Sequence, residues 1–445
     1  MRGRLAVTLL ALVATAGGCG SRKRQKRTGD AAPVELIPTP GSGASAGKGP
    51  TSEEQEPNEG EDVATPLALG ATVVGKVEPE SDVDHFRIDV ATAGALSIEL
   101  PAVEGTDLVL ELHDAQGALL AKSDRGAAKT REGIPNFGVS PGRYTAVVKA
   151  KPDKKAKNKD KRKPAAAPVA TPARAHPKGA GSPGGSLAYE ITAQVAPFAA
   201  ANEREPDEDR GTANDLIVGE SMSGYVGWGG DVDVWKLSVV ALSAKNVLDL
   251  EVDAVAGVAL TLELVDAIGN TVLTRKAPAG VNLVARRISP VIAAGAPPFH
   301  YVTIRGDRSN PEAMYRLTVK EQQAVTDSEV EPNDTLEKPY MIPADRTRVD
   351  AAWSAGDVDC FAIAPDPAAR TLEISIDTPG EADLSAELHV DGKLVMKSDA
   401  PSKGAAEKLT GAVPANGKAV VRIRGTAVAG EGVYELTVAE LQPKR

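Results

Sequence analysis

Three short stretches recur at one fixed offset and restrict this chain to a repeated architecture. Asp82-Val83-Asp84, Asp231-Val232-Asp233 and Asp357-Val358-Asp359 each begin 26 residues after the Glu of a Glu-Pro-Asn/Asp triplet, at Glu56, Glu205 and Glu331. Either motif alone means little. Both together, three times at the same spacing, indicate three copies of one domain. The length of 445 residues agrees, since about 150 residues per domain gives roughly three.

Each copy continues with period-two alternation, the mark of a strand with one buried face. Phe86, Ile88 and Val90 begin it, matched by Trp235, Leu237 and Val239 and by Phe361 and Ile363. Leu96, Ile98 and Leu100 follow, with Leu248, Leu250 and Val252 and then Leu372, Ile374 and Ile376 as counterparts. A third strand holds Leu108, Leu110 and Leu112, then Leu260, Leu262 and Leu264, then Leu384, Ala386 and Leu388. Turn residues come next, from Asp114 to Gly117, from Asp266 to Asn270 and at Asp391-Gly392, the last a two-residue hairpin signal. Tyr189, Tyr315 and Tyr434 open a closing Tyr-x-x-Thr strand in each copy. Helical periodicity is nowhere sustained. The pattern predicts an all-β chain of three tandem antiparallel β-sandwich domains, jelly-roll-like in form. With only 3% aromatic residues, their cores must rest on Val, Leu, Ile and Ala.

The expected organisation is a signal segment at 1–19, a disordered tether at 20–53, and repeats at 54–198, 202–325 and 328–442. Arg2 and Arg4 precede an apolar run, Leu5 to Ala16, too short to span a bilayer as a stable helix. It leads to Ala16-Gly17-Gly18-Cys19, which resembles the bacterial lipobox and implies lipidation of Cys19. Gly20 after the Cys resembles outer-membrane sorting; ordinary secretion is the other reading, because Ala16 stands where the lipobox has Leu. The membrane is thus expected as a partner through an N-terminal lipid. The other cysteine, Cys360, reads as a small buried hydrophobe on a strand.

The first repeat carries an insertion at 151–185, read as a disordered loop at a hairpin tip between Tyr144–Lys149 and the strand from Tyr189. Residues 151–163 hold eight Lys or Arg and two Asp, and Arg22 to Arg27 hold five positive charges. With a total of -10, the rest of the chain carries -21, so the modules are acidic and the connecting segments basic. No specific nucleic-acid binding is expected.

The order of Glu-Pro-Asn-Asp, Asp-Val-Asp-aromatic, and an Asp-Leu-x-Leu-x-Leu strand with its turn resembles the bacterial pre-peptidase C-terminal domain over most of residues 54–442. The resemblance implies a sandwich appended to exported proteins, with the collagen-binding modules of clostridial collagenases as relatives. It also implies a calcium site at Glu54, Glu56, Asn58, Glu59 and Asp82 and at their equivalents. These are Glu203, Glu205, Asp207, Glu208 and Asp231, then Glu329, Glu331, Asn333, Asp334 and Asp357. Glu59 and Glu208 stand where that pattern has Asp.

Elementary geometry bears on the same residues. On a strand, Asp82 and Asp84 share a face, as do Asp231 and Asp233, and Asp357 and Asp359. If the Glu-rich segment folds back onto that strand, four or more oxygens converge, and calcium takes six to eight. The other reading is a capped turn followed by a hydrogen-bonded strand start. On the first reading the third repeat, with Asn333-Asp334, should respond to calcium most.

Catalytic motifs are missing: no His-Glu-x-x-His, no Gly-x-Ser-x-Gly and no phosphate loop occurs among residues that include only five His. His113 and His389 read as exposed strand positions, and Trp228 and Trp353 as loop packing. The functional expectation is a non-enzymatic exported lipoprotein that binds or presents a protein or polysaccharide ligand at the cell envelope, at the outer membrane or elsewhere in it. The alternatives are an accessory partner of a secreted hydrolase and a hydrolase of unrecognised type.

Overall fold

The structure is a computed structural model. It describes residues 49–77, 82–126, 129–151, 188–292, 294–425 and 431–441. The expected signal segment, Cys19, the tether up to residue 48 and nearly all of the basic insertion lie outside the described residues.

The alternating residues form six sheets in three pairs. In the first repeat one sheet runs Thr51–Glu53, Thr72–Lys76, Ala188–Ala196, Gly94–Leu100, Glu132–Val139, and the other runs Thr65–Pro66, Val83–Val90, Gly142–Ala150, Leu108–His113, Leu119–Ser123. The second and third repeats keep this order, with four strands in the first sheet and five in the second. Pairing is antiparallel apart from short N-terminal edge strands such as Thr51–Glu53. Each pair of sheets encloses one core drawn from both faces, for example Val73, Leu96, Phe86 and Leu110 in the first repeat. The three tandem sandwiches expected from periodicity are therefore present. The Asp391-Gly392 hairpin is made as read, with both residues at positive φ (50° and 76°).

Three expectations change. The tether ends before residue 53, because Thr51–Glu53 pairs with Thr72–Lys76. Gly142–Ala150 and Ala188–Ala196 lie in different sheets, so the segment between them joins two sheets and is not a hairpin tip. His389 is buried, its Nε2 lying 3.1 Å from Glu387 on a sheet face that Arg422 and Arg424 also cover.

Successive repeats dock by one rule. Strand Glu132–Val139 carries a bulge at Asn136, with φ 57°, and strand Leu283–Ile288 one at Arg287, with φ 55°. The residue after each bulge forms a parallel bridge with the next repeat, Phe137 with Glu205 and Ile288 with Glu331. Gly138 donates its N–H to the Glu205 carbonyl and Ser289 to that of Glu331, both at 2.9 Å. The next repeat also sends a loop residue into the previous core. Trp228 packs 5.8 Å from Phe137 in the first core, and Ala355 joins the second. The matching strand of the third repeat, Glu407–Val413, pairs without a shift and receives no further repeat among the described residues.

Candidate functional site

The three Glu-x-Glu-Pro segments fold identically. The carboxylate of the first Glu accepts from a backbone N–H of the facing strand: Glu54 from Lys76 at 2.7 Å, Glu203 from Tyr225 at 2.7 Å, Glu329 from Ala352 at 2.6 Å. That of the second Glu accepts from the N–H two residues on, of Asn58 at 3.0 Å, Asp207 at 2.9 Å and Asn333 at 2.6 Å. The Glu-Pro bonds are all cis. The Asn58 and Asn333 carbonyls accept from His85 and Cys360, each at 3.1 Å, which seats the turn on the Asp-Val-Asp strand. The capped-turn reading thus accounts for one oxygen of each Glu.

Carboxylate oxygens of the turn and of the Asp-Val-Asp strand also come together. Glu54, Glu56 and Asp84 each bring a carboxylate oxygen within 4.8 Å of the other two. The same holds for Glu203, Glu205 and Asp233, for Glu205, Glu208 and Asp231, and for Glu331, Asp357 and Asp359. Asn58, Asp207 and Asn333 are fully buried beside them, each with its Oδ1 lacking a hydrogen-bond donor. Glu59 stays exposed at the rim of an open cleft that it shares with Glu54, Glu56 and Asp82.

A buried tyrosine completes each cluster, and its role was not read from the sequence. Tyr189 donates to Asp84, Tyr434 to Asp359 at 2.6 Å, and Tyr315 to Glu203 at 3.4 Å while accepting from the Trp235 indole at 3.0 Å. The recurring Tyr of the closing strand was the available signal. Only glycine fits opposite Tyr315, since a Cβ on Gly224 would lie 1.9 Å from the Glu203 carboxylate. The third repeat has Ala351 at that register position.

Surroundings separate the three clusters. The first opens to solvent, with Glu54 half-buried and Glu56 exposed, and Lys76 beside them. Burial pushes Glu54 and Asp84 up to about 7. The second is sealed beneath the first repeat, with Glu203, Glu205, Asp207, Asp231 and Asp233 all buried. Among the described residues no Lys, Arg or His pairs with any of them, and four oxygens lack a donor: Glu205 Oε1, Asp207 Oδ1, Asp231 Oδ1 and Asp233 Oδ2. Burial, then the neighbouring negative charges, pushes Glu205 up to about 11; burial also pushes Asp207 up to about 8 and Asp231 up to about 7. An ion moved into a protein interior loses several kcal/mol of solvation. This cluster must therefore hold protons or a cation.

The third cluster holds a cation of its own. Arg275, on strand Thr271–Ala277 of the second repeat, is 1% exposed and reaches Glu331 at 2.8 Å, Asp334 at 2.7 Å and Asp357 at 2.7 Å. Burial pushes Glu331 and Asp357 up, and both stay raised although Arg275 lowers them. Arg275 was missed in the sequence, although Leu273, Arg275 and Ala277 alternate as core-facing positions and a charge there is anomalous.

No family model matches the chain, and no curated protein matches it. Among solved structures it is similar to the pre-peptidase C-terminal domain of a collagenase from Bacillus anthracis, at 18% identity and a TM-score of 0.18, covering 21% of this chain and 88% of that one.

Proposed function

We propose that this chain is a non-enzymatic exported lipoprotein of tandem β-sandwich modules, stiffened by calcium at the joint between its first and second repeats, that binds or presents a protein or polysaccharide ligand at the cell envelope. The observation that carries the reading is the second cluster. Its five carboxyl groups are buried between two modules, paired with no basic side chain among the described residues, and four of them keep an unpartnered oxygen. The donors are all oxygen, as calcium prefers over softer metals. Glu203, Glu205, Asp207, Glu208, Asp231 and Asp233 would hold the ion. It would supply the positive charge that lets these groups stay ionised at neutral pH.

Because all of these ligands come from the second repeat while Phe137 and Gly138 of the first repeat grip Glu205, the ion would tie module position to ligand geometry. The described clusters hold carboxylates alone, without His or Cys, which favours a structural use. The test is calcium binding by the chelator-stripped full chain, read by calorimetry. Saturable binding that Asp231→Asn with Asp233→Asn abolishes supports the reading, and wild type that binds no calcium overturns it. Lipidation is tested separately. Cys19→Ser should move the protein from the membrane to the soluble fraction, because an acyl anchor contributes about 0.8 kcal/mol per buried CH₂.

A further inference from the structure

Arg275 and Ser123 occupy the same place in successive repeats. Arg275 pairs with Leu262 and Ser123 with Leu110, equivalent positions of the third strand in each repeat. Both side chains are buried at the edge that meets the next module: Gly229 of the second repeat donates to the Lys122 carbonyl, and Gly356 of the third lies against Lys276. Ser123 stays within its own repeat and donates to Glu132 at 2.5 Å. Arg275 instead crosses the joint and enters the acidic cluster beyond it.

The two clusters differ accordingly in what they leave unmatched. In the third, Glu331 and Asp357 each give an oxygen to Arg275, and the oxygens left without a donor are Asn333 Oδ1 and Asp359 Oδ1. In the second, Glu205, Asp207, Asp231 and Asp233 each keep an unpartnered oxygen, and all four residues are at least nine-tenths buried.

We propose that Arg275 takes the place of a divalent cation in the third cluster, so that the joint between the first and second repeats is closed by a bound ion and the joint between the second and third by an arginine. The inference rests on the calcium reading of the second cluster, and it adds that the third is closed to metal. Two monodentate contacts from one Nη2 to Glu331 and Asp357, plus Nη1 on Asp334, spread the guanidinium charge over the carboxylates that an ion would otherwise share. A guanidinium stays protonated at every physiological pH, so this joint does not open when calcium falls. The joint between the first and second repeats is the one that responds to it.

Calorimetric calcium titration of the chelator-stripped full chain tests this. Arg275→Ser, which installs the residue of the first repeat, should bind one calcium more than wild type. A folded Arg275→Ser with unchanged stoichiometry overturns the proposal, and a variant that folds only when calcium is added supports it. If Arg275→Ser folds under neither condition, Asp359→Asn decides, because it removes a third-cluster oxygen without touching the Arg275 contacts. Unchanged wild-type stoichiometry in Asp359→Asn supports the proposal, and loss of one calcium overturns it. Failure of the calcium reading itself looks different: Asp231→Asn with Asp233→Asn would then change nothing, while the extra site in Arg275→Ser would still appear.

Discussion

The joint between the first and second repeats and the joint between the second and third use one backbone scheme and two solutions to one electrostatic problem. Both have a left-handed bulge residue, a parallel bridge to the second Glu of the next repeat, and a loop residue in the previous core. Both bury the acidic turn of the following module. In one the charge is met by Arg275, and in the other by no described side chain. Docking is therefore a property of the backbone pattern, whereas the neutralising charge is chosen locally, by Arg275 at the centre of the cluster and Arg287 3.9 Å from Glu329 at its side.

The largest effect should come from removing that residue without leaving room for a replacement. Arg275→Met fills the volume but leaves Glu331 and Asp357 buried and uncompensated, and breaking a buried pair in this way costs roughly 3–5 kcal/mol. Chemical denaturation should show the loss in calcium and in chelator alike, because the methionine chain excludes an ion. Recovery of wild-type stability on adding calcium to Arg275→Met would break the comparison.

Next in size is calcium itself on wild type. Binding to the folded state alone stabilises by about 2.7 kcal/mol at a hundredfold excess over the dissociation constant. The pH dependence in chelator fixes the sign. Asp231 and Asp207 are held at about 7 and about 8, above the ordinary carboxylate value near 4, so the native state keeps protons that the unfolded chain has released. Stability from this joint is then full below pH ~4 and is lost as pH rises, through 7 to 8 for Asp231 and Asp207 and up to about 11 for Glu205. Calcium, which competes with those protons, should flatten the loss. Tryptic cleavage after Arg204, beside the second cluster, should speed up in chelator at pH 8 and slow again with calcium. Equal cleavage rates in both buffers would count against a cation at this joint.

How much of this was legible in the sequence depends on range. Strands and hairpins were, because alternation and turn chemistry are local: Phe86, Ile88 and Val90 are all buried, and Asp391-Gly392 makes its turn. The convergence of Glu54, Glu56 and Asp84 was legible because repetition at a fixed spacing marks residues that meet. Docking was not, since nothing in a strand's alternation says which edge the next module covers. Trp228 looked like loop packing in its own repeat and instead fills the core of the previous one. Arg275 was hidden for the same reason. Its partners lie 56 and 59 residues away in another module, and only one repeat in three carries it. The expectation that the third repeat responds most to calcium rested on Asn333-Asp334 alone, and the proposal for Arg275 moves it to the second repeat.

Third in size is the tyrosine that completes each cluster. Tyr434→Phe removes the donor to Asp359 and leaves a buried carboxyl group unsatisfied, which costs about 1–3 kcal/mol. If Arg275 closes the joint between the second and third repeats as proposed, the loss should be the same with calcium and with chelator in a thermal melt. A loss seen only in chelator would mean that an ion reaches Asp359.

The smallest effect should come from the rims, which the two joints share. Arg286 of the second repeat holds Glu431 of the third through two contacts of 2.7 Å, and Arg125 of the first repeat holds Glu312 of the second at 3.1 Å. Both acids are more than two-fifths exposed, so water and salt screen the pairs. Glu431→Gln and Glu312→Gln should each cost about 0.2–1 kcal/mol at low salt and less at 1 M salt. Neither loss should depend on calcium. Arg275→Met, by contrast, should keep its full effect at high salt, because mobile ions do not enter a joint whose central residue is 1% exposed. If Glu312→Gln proved calcium-dependent while Glu431→Gln did not, the rim of the first joint would be coupled to its centre, and the ion would organise the whole interface instead of one cluster within it.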